Sequence, residues 1–402
     1  MANSVPTTTK EQNEILTRVD PGTPMGELLR RYWWPVGFSA DLKEKPTFIR
    51  LLCEDLVLFR DGKGRAGVLG ALCAHRRANL CLGNVEESGL RCRYHGWLYD
   101  VNGSVLEIPG EPAGSGLKES IHQLSYPVEE LGGMIFAYLG PQPAPLLPRF
   151  DFVAGEGERY VKMTRFMPSN WLQCVENGID PLHVSFTHQS GLADLHMEPE
   201  FEFEDSEWGF VHKTFRPGSK EGTFNYREHH MLMPGISVGG SPGRMLEGGG
   251  GTPVTSARWS VALDNTETSL LRVTYKPADN PGKFKSDPFL GVGRPLQIEP
   301  YREYKGSDRP VLGYSIGRSV PEEDAAIVGS LGPIVDRENE HLSPVVDAGV
   351  ITLRDMYLKA IETVRAGGDP QGVIRDKAKN GLIVIPAYER WISADERKKM
   401  QA

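Results

Sequence analysis

Two short segments of this chain each pair a thiolate with an imidazole. Cys73-Ala-His75 is followed, after sixteen residues, by Cys92-Arg-Tyr-His95. Two such segments can hold a [2Fe–2S] cluster in which the cysteines bind one iron and the histidines bind the other. Compared with four cysteines, this ligand set removes negative charge and raises the reduction potential. The pattern therefore predicts an electron carrier, and Trp97 is expected to shield one side of it.

Two other kinds of site are open to these residues. A structural zinc site also uses two cysteines and two histidines, but zinc fingers usually pair cysteine with cysteine, whereas here the residue types alternate. A cluster held by four cysteines would need cysteines whose spacing fits no plain pattern. The cysteines outside the pattern, which are expected to be small buried hydrophobic residues, are Cys53, Cys81 and Cys174.

A second set of possible metal ligands lies between Glu176 and His188. Non-haem Fe(II) oxygenases bind iron through two histidines and one carboxylate, and this leaves positions open for O₂. His183 and His188 could be the two histidines, but a straight helix would separate side chains five residues apart by about 140°. The helix must therefore end or distort between them, and Pro181 is one possible cause. An electron carrier and an O₂-activating metal in one chain indicate an oxygenase.

Composition and charge limit the other classes of function. Of the 402 residues, 39% are apolar and 24% are charged, which is typical of a soluble globular protein of two or three domains. The formal net charge of −8 argues against nucleic acid as the main partner. The amino terminus is polar and no run of about 18 apolar residues occurs, so the sequence predicts neither a signal peptide nor a membrane span. A cytoplasmic location is expected.

Turn residues and periodicity indicate the elements that must position these ligands. Thr23 and Pro24 are suited to begin a helix that runs to about residue 32. Prolines between residues 141 and 148 mark a linker. Glycines in 239–251 predict a mobile loop, either a surface connection or a flap over a pocket. Strands are expected at 49–52, 56–59, 133–140, 210–215 and 270–275, and further helices at 171–188, 322–331 and 348–365.

The first ligand set also carries a resemblance to a known family. The residues Cys73-Ala-His75-Arg76, Leu80, Gly83 and Cys92-Arg-Tyr-His95-Gly96-Trp97 resemble the Rieske domain of ring-hydroxylating and O-demethylating oxygenases. Residues 25–33 are similar to the phthalate dioxygenase-type branch, which also holds aryl O-demethylases such as the dehydrodivanillate enzymes. The resemblance implies an α+β fold, with a small antiparallel β Rieske domain and a helix-grip catalytic domain whose antiparallel sheet surrounds a long helix. The expected boundaries are 1–33 for an amino-terminal helical segment, 34–145 for the cluster domain and 146–402 for the catalytic domain.

The third iron ligand is expected near the carboxyl terminus. The stretch 321–337 is similar to the ligand helix of the phthalate-type branch, and Asp324 would open a helix that continues to Arg337. Asp324 is therefore the expected carboxylate. Asp336 and Asp355 are its rivals, and the ordinary alternative for all three is a helix cap or a salt bridge.

The resemblance further implies a homotrimer in which the cluster of one subunit faces the iron of its neighbour. Asp180 would bridge the two centres by hydrogen-bonding a cluster histidine across the interface and His183 on its own side. A helix-capping role is the alternative. Asn177 is expected to border the open metal positions. The arginines around the cluster form either local ion pairs, a subunit contact or a dock for an acidic electron donor, and they are Arg76, Arg77, Arg91 and Arg93.

Electrons are expected from a separate reductase or ferredoxin, because the sequence has no dinucleotide or flavin motif and NAD(P)H can act only indirectly. Arg227 and Arg258 lie on predicted strands, where either could bind the carboxylate of an aromatic acid or form a structural ion pair. The expected function is an oxygenase component that O-demethylates a methoxylated aromatic acid and releases formaldehyde. The alternatives are cis-dihydroxylation of an aromatic carboxylate, electron transfer without catalysis, and regulation by sensing iron or O₂.

Overall fold

A computed structural model describes residues 8–188, 197–241, 254–284, 320–386 and 388–400 of the chain. The helices are α1 (Lys10–Thr17), α2 (Pro24–Leu29), α3 (Leu117–Ser120), α4 (Asp151–Ala154), α5 (Trp171–Ile179), α6 (His183–Thr187), α7 (Val320–Ser330), α8 (Ala348–Arg365) and α9 (Ala394–Met400). The strands are β1 (Trp33–Phe38), β2 (Thr47–Leu51), β3 (Glu54–Arg60), β4 (Ala66–Gly70), β5 (Asn84–Glu86), β6 (Gly89–Arg91), β7 (Leu98–Tyr99), β8 (Val105–Glu107), β9 (Ser125–Tyr126), β10 (Val128–Leu131), β11 (Met134–Tyr138), β12 (Gly157–Met167), β13 (Glu200–Ser206), β14 (Gly209–Pro217), β15 (Thr223–Leu232), β16 (Ile236–Ser241), β17 (Val254–Ala262), β18 (Thr268–Pro277) and β19 (Glu389–Ser393).

Small antiparallel sheets make up the region from β1 to β11. Their strand orders are β1-β11-β10, β2-β3-β4-β9 and β5-β6-β7-β8. A separate hydrophobic cluster in this region contains Cys73 and Cys92 together with Phe59, Trp97 and Tyr99. The predicted cysteine ligands therefore lie against a packed core of their own.

A larger antiparallel sheet of eight strands follows, in the order β12-β18-β17-β16-β15-β14-β13, with β19 paired to β15. Side chains alternate between its two faces. The inner face carries Arg258, which lies against Gly178 of α5. The opposite face carries Trp259, whose ring centroid is 5.5 Å from that of Phe152. The long helix α8 packs against α5, and so the expected α+β fold with an antiparallel sheet and a long helix is confirmed.

One continuous hydrophobic core joins these two regions. It includes Leu28 of α2, Trp34 of β1, Trp171 of α5 and Tyr357 of α8, each completely buried. The rings of Trp171 and Tyr357 meet edge to face with their centroids 5.1 Å apart. The helix that carries the second ligand set is thereby held against both the amino-terminal segment and α8.

The amino-terminal and ligand-bearing helices differ from prediction in where they end. Thr23 caps α2 as expected, since its hydroxyl accepts a hydrogen bond from the amide of Gly26, but α2 ends at Leu29 and not near residue 32. The helix predicted across 171–188 is two helices, because α5 ends at Ile179 and α6 begins at His183. Asp180 between them is extended, as favoured for the residue before Pro181.

Of the carboxyl-terminal helices, α8 agrees with prediction and α7 differs from it. Asp324 is the fifth residue of α7 and does not open it, and α7 ends at Ser330 and does not continue to Arg337. Gly332, with φ of +87°, and Pro333 do not continue the helix. The bounds of α8 and the positions of the five predicted strands are confirmed. Of the predicted glycine loop, residues 239–241 belong to β16 and the rest lies outside the described residues. Among the described helices, none has the length and apolarity that crossing a bilayer requires.

Candidate metal centres

The two cysteine–histidine segments fold into matching turns. In the first, the amide of Arg77 donates to the carbonyl of Cys73 at 2.9 Å. In the second, the amide of Gly96 donates to the carbonyl of Cys92 at 3.0 Å. The fourth residue after each cysteine has a positive φ, 59° at Arg77 and 76° at Gly96, and this left-handed conformation closes the turn. The alternation of cysteine and histidine along the sequence thus becomes two matching ligand loops.

These loops direct their thiols inward and their imidazoles outward. Cys73 and Cys92 are 1% and 3% exposed, whereas His75 is exposed and His95 is partly exposed. The two imidazole centroids are 4.6 Å apart. Trp97 stacks on His75 at 4.7 Å with the ring planes 4° apart, so it covers one side of the pair as expected. Such an arrangement fits a cluster whose histidine-bound iron faces the surface.

Two further residues support the first loop and were not singled out from the sequence. The hydroxyl of Tyr99 lies 2.9 Å from the sulfur of Cys73. The buried side chain of Gln123 accepts a hydrogen bond from the amide of Ala74 and donates one to the carbonyl of Gly70. A hydrogen bond to a ligating sulfur tunes the potential of a cluster. Neither residue belongs to the cysteine–histidine pattern, so spacing could not reveal it.

The arginines near the loops have different surroundings. Arg91 is held by ion pairs to Glu86 at 2.5 Å and to Glu107 at 2.6 Å, which makes it a structural residue. Arg76 lies over the ring of Tyr94, 5.6 Å from its centroid. Arg77 and Arg93 are exposed. Cys174 is on α5 and Cys53 meets Leu263 through its backbone, so a cluster held by four cysteines is not supported.

The second ligand set converges with a carboxylate from α7. His183, His188 and Asp324 each place one ligand atom within 4.8 Å of the other two. The Nε2 atoms of His183 and His188 lie 3.5 Å and 3.4 Å from the same Asp324 oxygen. Their rings are 5.3 Å apart between centroids and cross at 78°. Two nitrogens and one oxygen that face one point from one side could hold a single iron and leave its other side open.

The break between helices α5 and α6, just before His183, allows the two histidines to converge. α6 contains a single turn of helix, and His188 follows it with a non-helical backbone, φ −89° and ψ 82°. The side-chain oxygen of Asp180 caps the turn by accepting from the amide of Leu182 at 2.7 Å. The ring of His183 donates from Nδ1 to the backbone carbonyl of Asp180 at 2.6 Å, which leaves Nε2 for a metal. The Asp180 carboxylate itself lies farther from that ring, at 3.8 Å.

Glu323 holds the other histidine and was missed in the sequence. Its carboxylate lies 3.0 Å from Nδ1 of His188, and both side chains are 3% exposed. Because Nδ1 is occupied by Glu323, Nε2 points toward Asp324. A carboxylate that orients a metal-bound imidazole also increases its basicity. Glu322, Glu323 and Asp324 are three consecutive acids in α7, and their spacing alone does not show which of them faces His188.

Asp324 itself is buried among polar groups. Burial raises the pKa of its carboxyl group, but hydrogen bonding to His183 and the charge of Arg258 outweigh burial and leave the pKa below its usual value. Arg258 Nη1 is 3.8 Å from one Asp324 oxygen. Asn177 donates from its side-chain amide to the other oxygen at 3.4 Å, so it lies beside Asp324.

A buried ion network fixes the helix that leads to these ligands. Glu176 of α5 forms ion pairs at 2.8 Å with Arg337, which lies between α7 and α8, and with Arg354 of α8. Arg337 also donates to the side chain of Asn13 in α1. Burial raises the pKa of Glu176, yet the two guanidinium groups lower it overall. Ion pairs therefore hold α5 to α8 and to Arg337, which in turn contacts α1.

The remaining predicted residues lie apart from the three ligands. The rivals Asp336 and Asp355 are exposed. Arg227 is on the inner face of the sheet, with Nε 3.2 Å from an oxygen of the buried Glu389. An apolar cavity, lined by Trp33, Phe150 and Trp259 among others, opens on the opposite face of the sheet, so it is not the space beside His183, His188 and Asp324.

Comparison with known proteins agrees with this geometry. The family described as Rieske [2Fe-2S] domain matches residues 32–127. The oxygenase subunit of 5,5'-dehydrodivanillate O-demethylase from Sphingobium sp. is 33% identical, over 94% of this chain and 87% of that protein. The chain belongs to the Rieske oxygenase alpha-subunit family. The alpha subunit of phenoxybenzoate dioxygenase from Ectopseudomonas oleovorans is 36% identical, over 95% of this chain and 92% of that protein. In fold, the chain is similar to the carbazole-bound oxygenase in complex with ferredoxin of carbazole 1,9a-dioxygenase, with a TM-score of 0.59 and 19% identity over 93% of this chain and 97% of that chain.

Membership in the Rieske oxygenase family decides several of the alternatives. The chain is an oxygenase alpha subunit that uses a Rieske [2Fe–2S] cluster, a mononuclear iron, O₂ and electrons from a separate donor. A structural zinc site, a pure electron carrier and a non-catalytic regulator are therefore excluded. The loops at Cys73 and Cys92 have the donor atoms that the cluster requires. His183, His188 and Asp324 have those that the mononuclear iron requires.

Proposed function

We propose that the chain is the oxygenase component that O-demethylates a methoxylated aromatic acid. The reaction consumes one O₂, two electrons and two protons and converts the methoxy group to a hemiacetal with release of one water. The hemiacetal then breaks down to formaldehyde and a phenol. The observation that supports this most is that His183, His188 and Asp324 converge beside an arginine on the inner face of the sheet.

In this proposal His183, His188 and Asp324 hold the iron, and Cys73, His75, Cys92 and His95 hold the cluster. When bound, the iron activates O₂ and the cluster delivers electrons to it. Residues around the iron ligands keep them in place: the Asp180 carbonyl holds the ring of His183, and Glu323 holds the ring of His188. We propose the domain boundaries 1–33, 34–145 and 146–402 on the same basis.

The charge of the inner face supports an acidic substrate. Arg258 and Arg227 both lie on this face, and each could contribute to binding a carboxylate. When Asp324 holds a metal ion, its charge is no longer available to balance Arg258. The names of both relatives describe an aromatic acid that carries an ether oxygen, dehydrodivanillate in one case and phenoxybenzoate in the other.

Ring dihydroxylation is the second candidate, because the relative at 36% identity is named as a dioxygenase. The same three iron ligands serve both reactions, so the position of the substrate decides between them. A methoxy carbon nearest the iron gives demethylation, and two ring carbons nearest the iron give a cis-dihydrodiol. We favour demethylation because residues 25–33 resemble the branch that contains the aryl O-demethylases.

Electron delivery is proposed through the exposed histidine side of the cluster. The exposed Arg77 and Arg93, with Arg76 beside Tyr94, would attract an acidic ferredoxin or reductase. We further propose a homotrimer in which Asp180 meets a cluster histidine of the neighbouring subunit. The Asp180 side chain is 35% exposed and so is accessible to a partner.

Product analysis tests the proposed function. Purified protein with a reductase and ferredoxin is supplied with methoxybenzoates under O₂, and formaldehyde, phenol and diol are measured together with iron content. Formaldehyde equal to O₂ consumed, with three irons per chain, is the expected result. A ring diol without formaldehyde would replace demethylation by dihydroxylation. The control is Asp324→Asn, which should retain the cluster spectrum and form no product.

A further inference from the structure

We infer, on the basis of the proposed function, that His212 and His229 bind the carboxylate of the substrate. The two residues face each other across β14 and β15, where they are register partners. Their ring centroids are 5.0 Å apart with the planes at 40°. They share the inner face of the sheet with Arg227, two residues before His229 on the same strand.

His212 has no hydrogen-bond partner among the described residues although it is almost completely buried. It is 2% exposed, and both Nδ1 and Nε2 lack a partner. The ring of Phe203 stacks against it at 5.9 Å with the planes 14° apart, so its orientation is fixed. A buried imidazole that can donate one hydrogen bond and accept another is costly to leave unpaired. A ligand with a hydrogen-bonding group would supply the missing partner.

His229 is held over a glycine in a way that shapes the same space. A Cβ atom at Gly239, its register partner in β16, would lie 1.9 Å from Cδ2 of His229. The imidazole therefore lies across Gly239 and excludes any larger residue there. His229 is partly accessible, unlike His212. His212 of β14 and His229 of β15 thus lie side by side on the inner face of the sheet. We call this pair the histidine wall.

The electrostatics of this wall favour an anion. Burial and the charge of Arg227 lower the pKa of His212 to about 3, and burial and Arg227 also hold the pKa of His229 well below its usual value. Both imidazoles are therefore neutral near pH 7, and each can donate one N–H to a carboxylate oxygen. Among the described residues, six charged side chains act on the two imidazoles or on the residues around them. Four are cations and two are anions: Arg216, Arg227, Arg258, Arg272, Glu389 and Asp324.

Arg227 does not replace the histidines in this role. Its Nε is 3.2 Å from Glu389, but neither atom forms a hydrogen bond within the described residues. Glu389 thus offsets much of the Arg227 charge without fixing its orientation. The directional contacts to a carboxylate would come from the two imidazoles, and the surplus positive charge would supply the long-range attraction.

Binding measurements on the anaerobic holoenzyme test this inference without turnover. The probes are 3-methoxybenzoate and the neutral 3-methoxybenzamide, titrated calorimetrically against wild type, His212→Phe, His229→Phe and His212→Gln. Wild type should prefer the acid. Each phenylalanine variant should lose about 10- to 100-fold in affinity for the acid and no more than about threefold for the amide, because a hydrogen bond to a charged group is lost. Gln keeps an N–H donor and should restore part of the preference.

His230→Phe is the matched control, since His230 is adjacent on β15, buried, and on the other face of the sheet. It should leave the ratio of acid to amide affinity unchanged. A wild type without preference for the acid, or phenylalanine variants with the wild-type ratio, would overturn the assignment. If the enzyme produces formaldehyde but the phenylalanine variants keep the wild-type ratio of acid to amide affinity, only the histidine site is refuted. Loss of the acid preference in a protein that forms no formaldehyde would refute demethylation alone.

Discussion

Replacement of Glu323 should weaken iron binding without touching a ligand. The Glu323 carboxylate lies 3.0 Å from Nδ1 of His188, and both side chains are 3% exposed. Such a buried hydrogen bond to a charged group contributes about 1.5–3 kcal/mol. Loss of a group that orients a metal ligand typically costs about 10- to 100-fold in metal affinity. We expect the dissociation constant for Fe(II) to rise about 10-fold in Glu323→Gln and about 100-fold in Glu323→Ala.

The two variants differ for a physical reason. Gln keeps an oxygen that can accept from His188 Nδ1 but removes the charge that makes the imidazole more basic. Ala removes the acceptor and leaves Nδ1 buried without a partner, so the ring can rotate and Nε2 can turn away from Asp324. The structure therefore predicts a graded effect and not an equal one.

Competition with a coloured Fe(II) chelator under anaerobic conditions measures this affinity directly. The cluster spectrum serves as an internal check, because Glu323 is far along the chain from the cysteine–histidine loops and does not contact them. Asp336→Asn is the matched control: Asp336 is an exposed acid just beyond α7 and should not affect iron affinity. Added Fe(II) should restore most of the turnover of Glu323→Gln. Wild-type iron affinity in Glu323→Ala would refute the orienting role.

Three further perturbations follow from the described contacts. Asp180→Asn keeps a capping oxygen and the backbone carbonyl, so both metals should remain while turnover falls at least about 100-fold; normal single-turnover rates would remove the proposed bridge. Glu176→Gln should lower the free energy of unfolding by about 3–5 kcal/mol at pH 7, because Arg337 and Arg354 lose their buried partner. The folded pKa of Glu176 is lowered, so this stabilisation is present above pH 4.5 and is lost as the pH falls through the folded pKa; the difference in unfolding free energy between wild type and variant should be full at pH 7 and should shrink as the pH is lowered below 4.5. The pKa of His212 is lowered from 6.5 to about 3, so the unfolded chain takes up that proton first and stability falls by about 1.4 kcal/mol per pH unit below 6.5; His212→Phe should lack this part of the slope in urea melts at pH 7 and pH 5.5.

The cluster loops could be predicted from the sequence because their geometry is local. Each cysteine is followed within three residues by its histidine, and the turn closes by one backbone hydrogen bond to the fourth residue. The left-handed residue of the second turn is Gly96, a visible signal, whereas that of the first is Arg77, which gives none. Two residues support the loops, Tyr99 and Gln123. They are brought to the loops by separate strands and turns, so the spacing of the cysteines and histidines could not indicate them.

The candidate iron ligands could be predicted only in part. Helix geometry alone required the helix to end or distort between His183 and His188, but the break between α5 and α6 lies at Asp180. The break precedes His183, however, and a second departure from helical geometry at His188 completes the turn. Asp324 could be chosen only by resemblance, because nothing in the sequence indicates that α7 packs against α6.

The histidine wall on the inner face was missed for a third reason, which concerns register. A strand pattern shows which residues share a face but does not show which face is covered by helices. His212 and His229 acquire a common environment only when β14 and β15 pair so that the two residues are opposite, and a shift by one residue would send one imidazole to the other face. His230, which is adjacent to His229 and chemically identical, faces away for this reason. The strand register, and not the residue type, therefore decides that His212 and His229 lie on the inner face and that His230 does not.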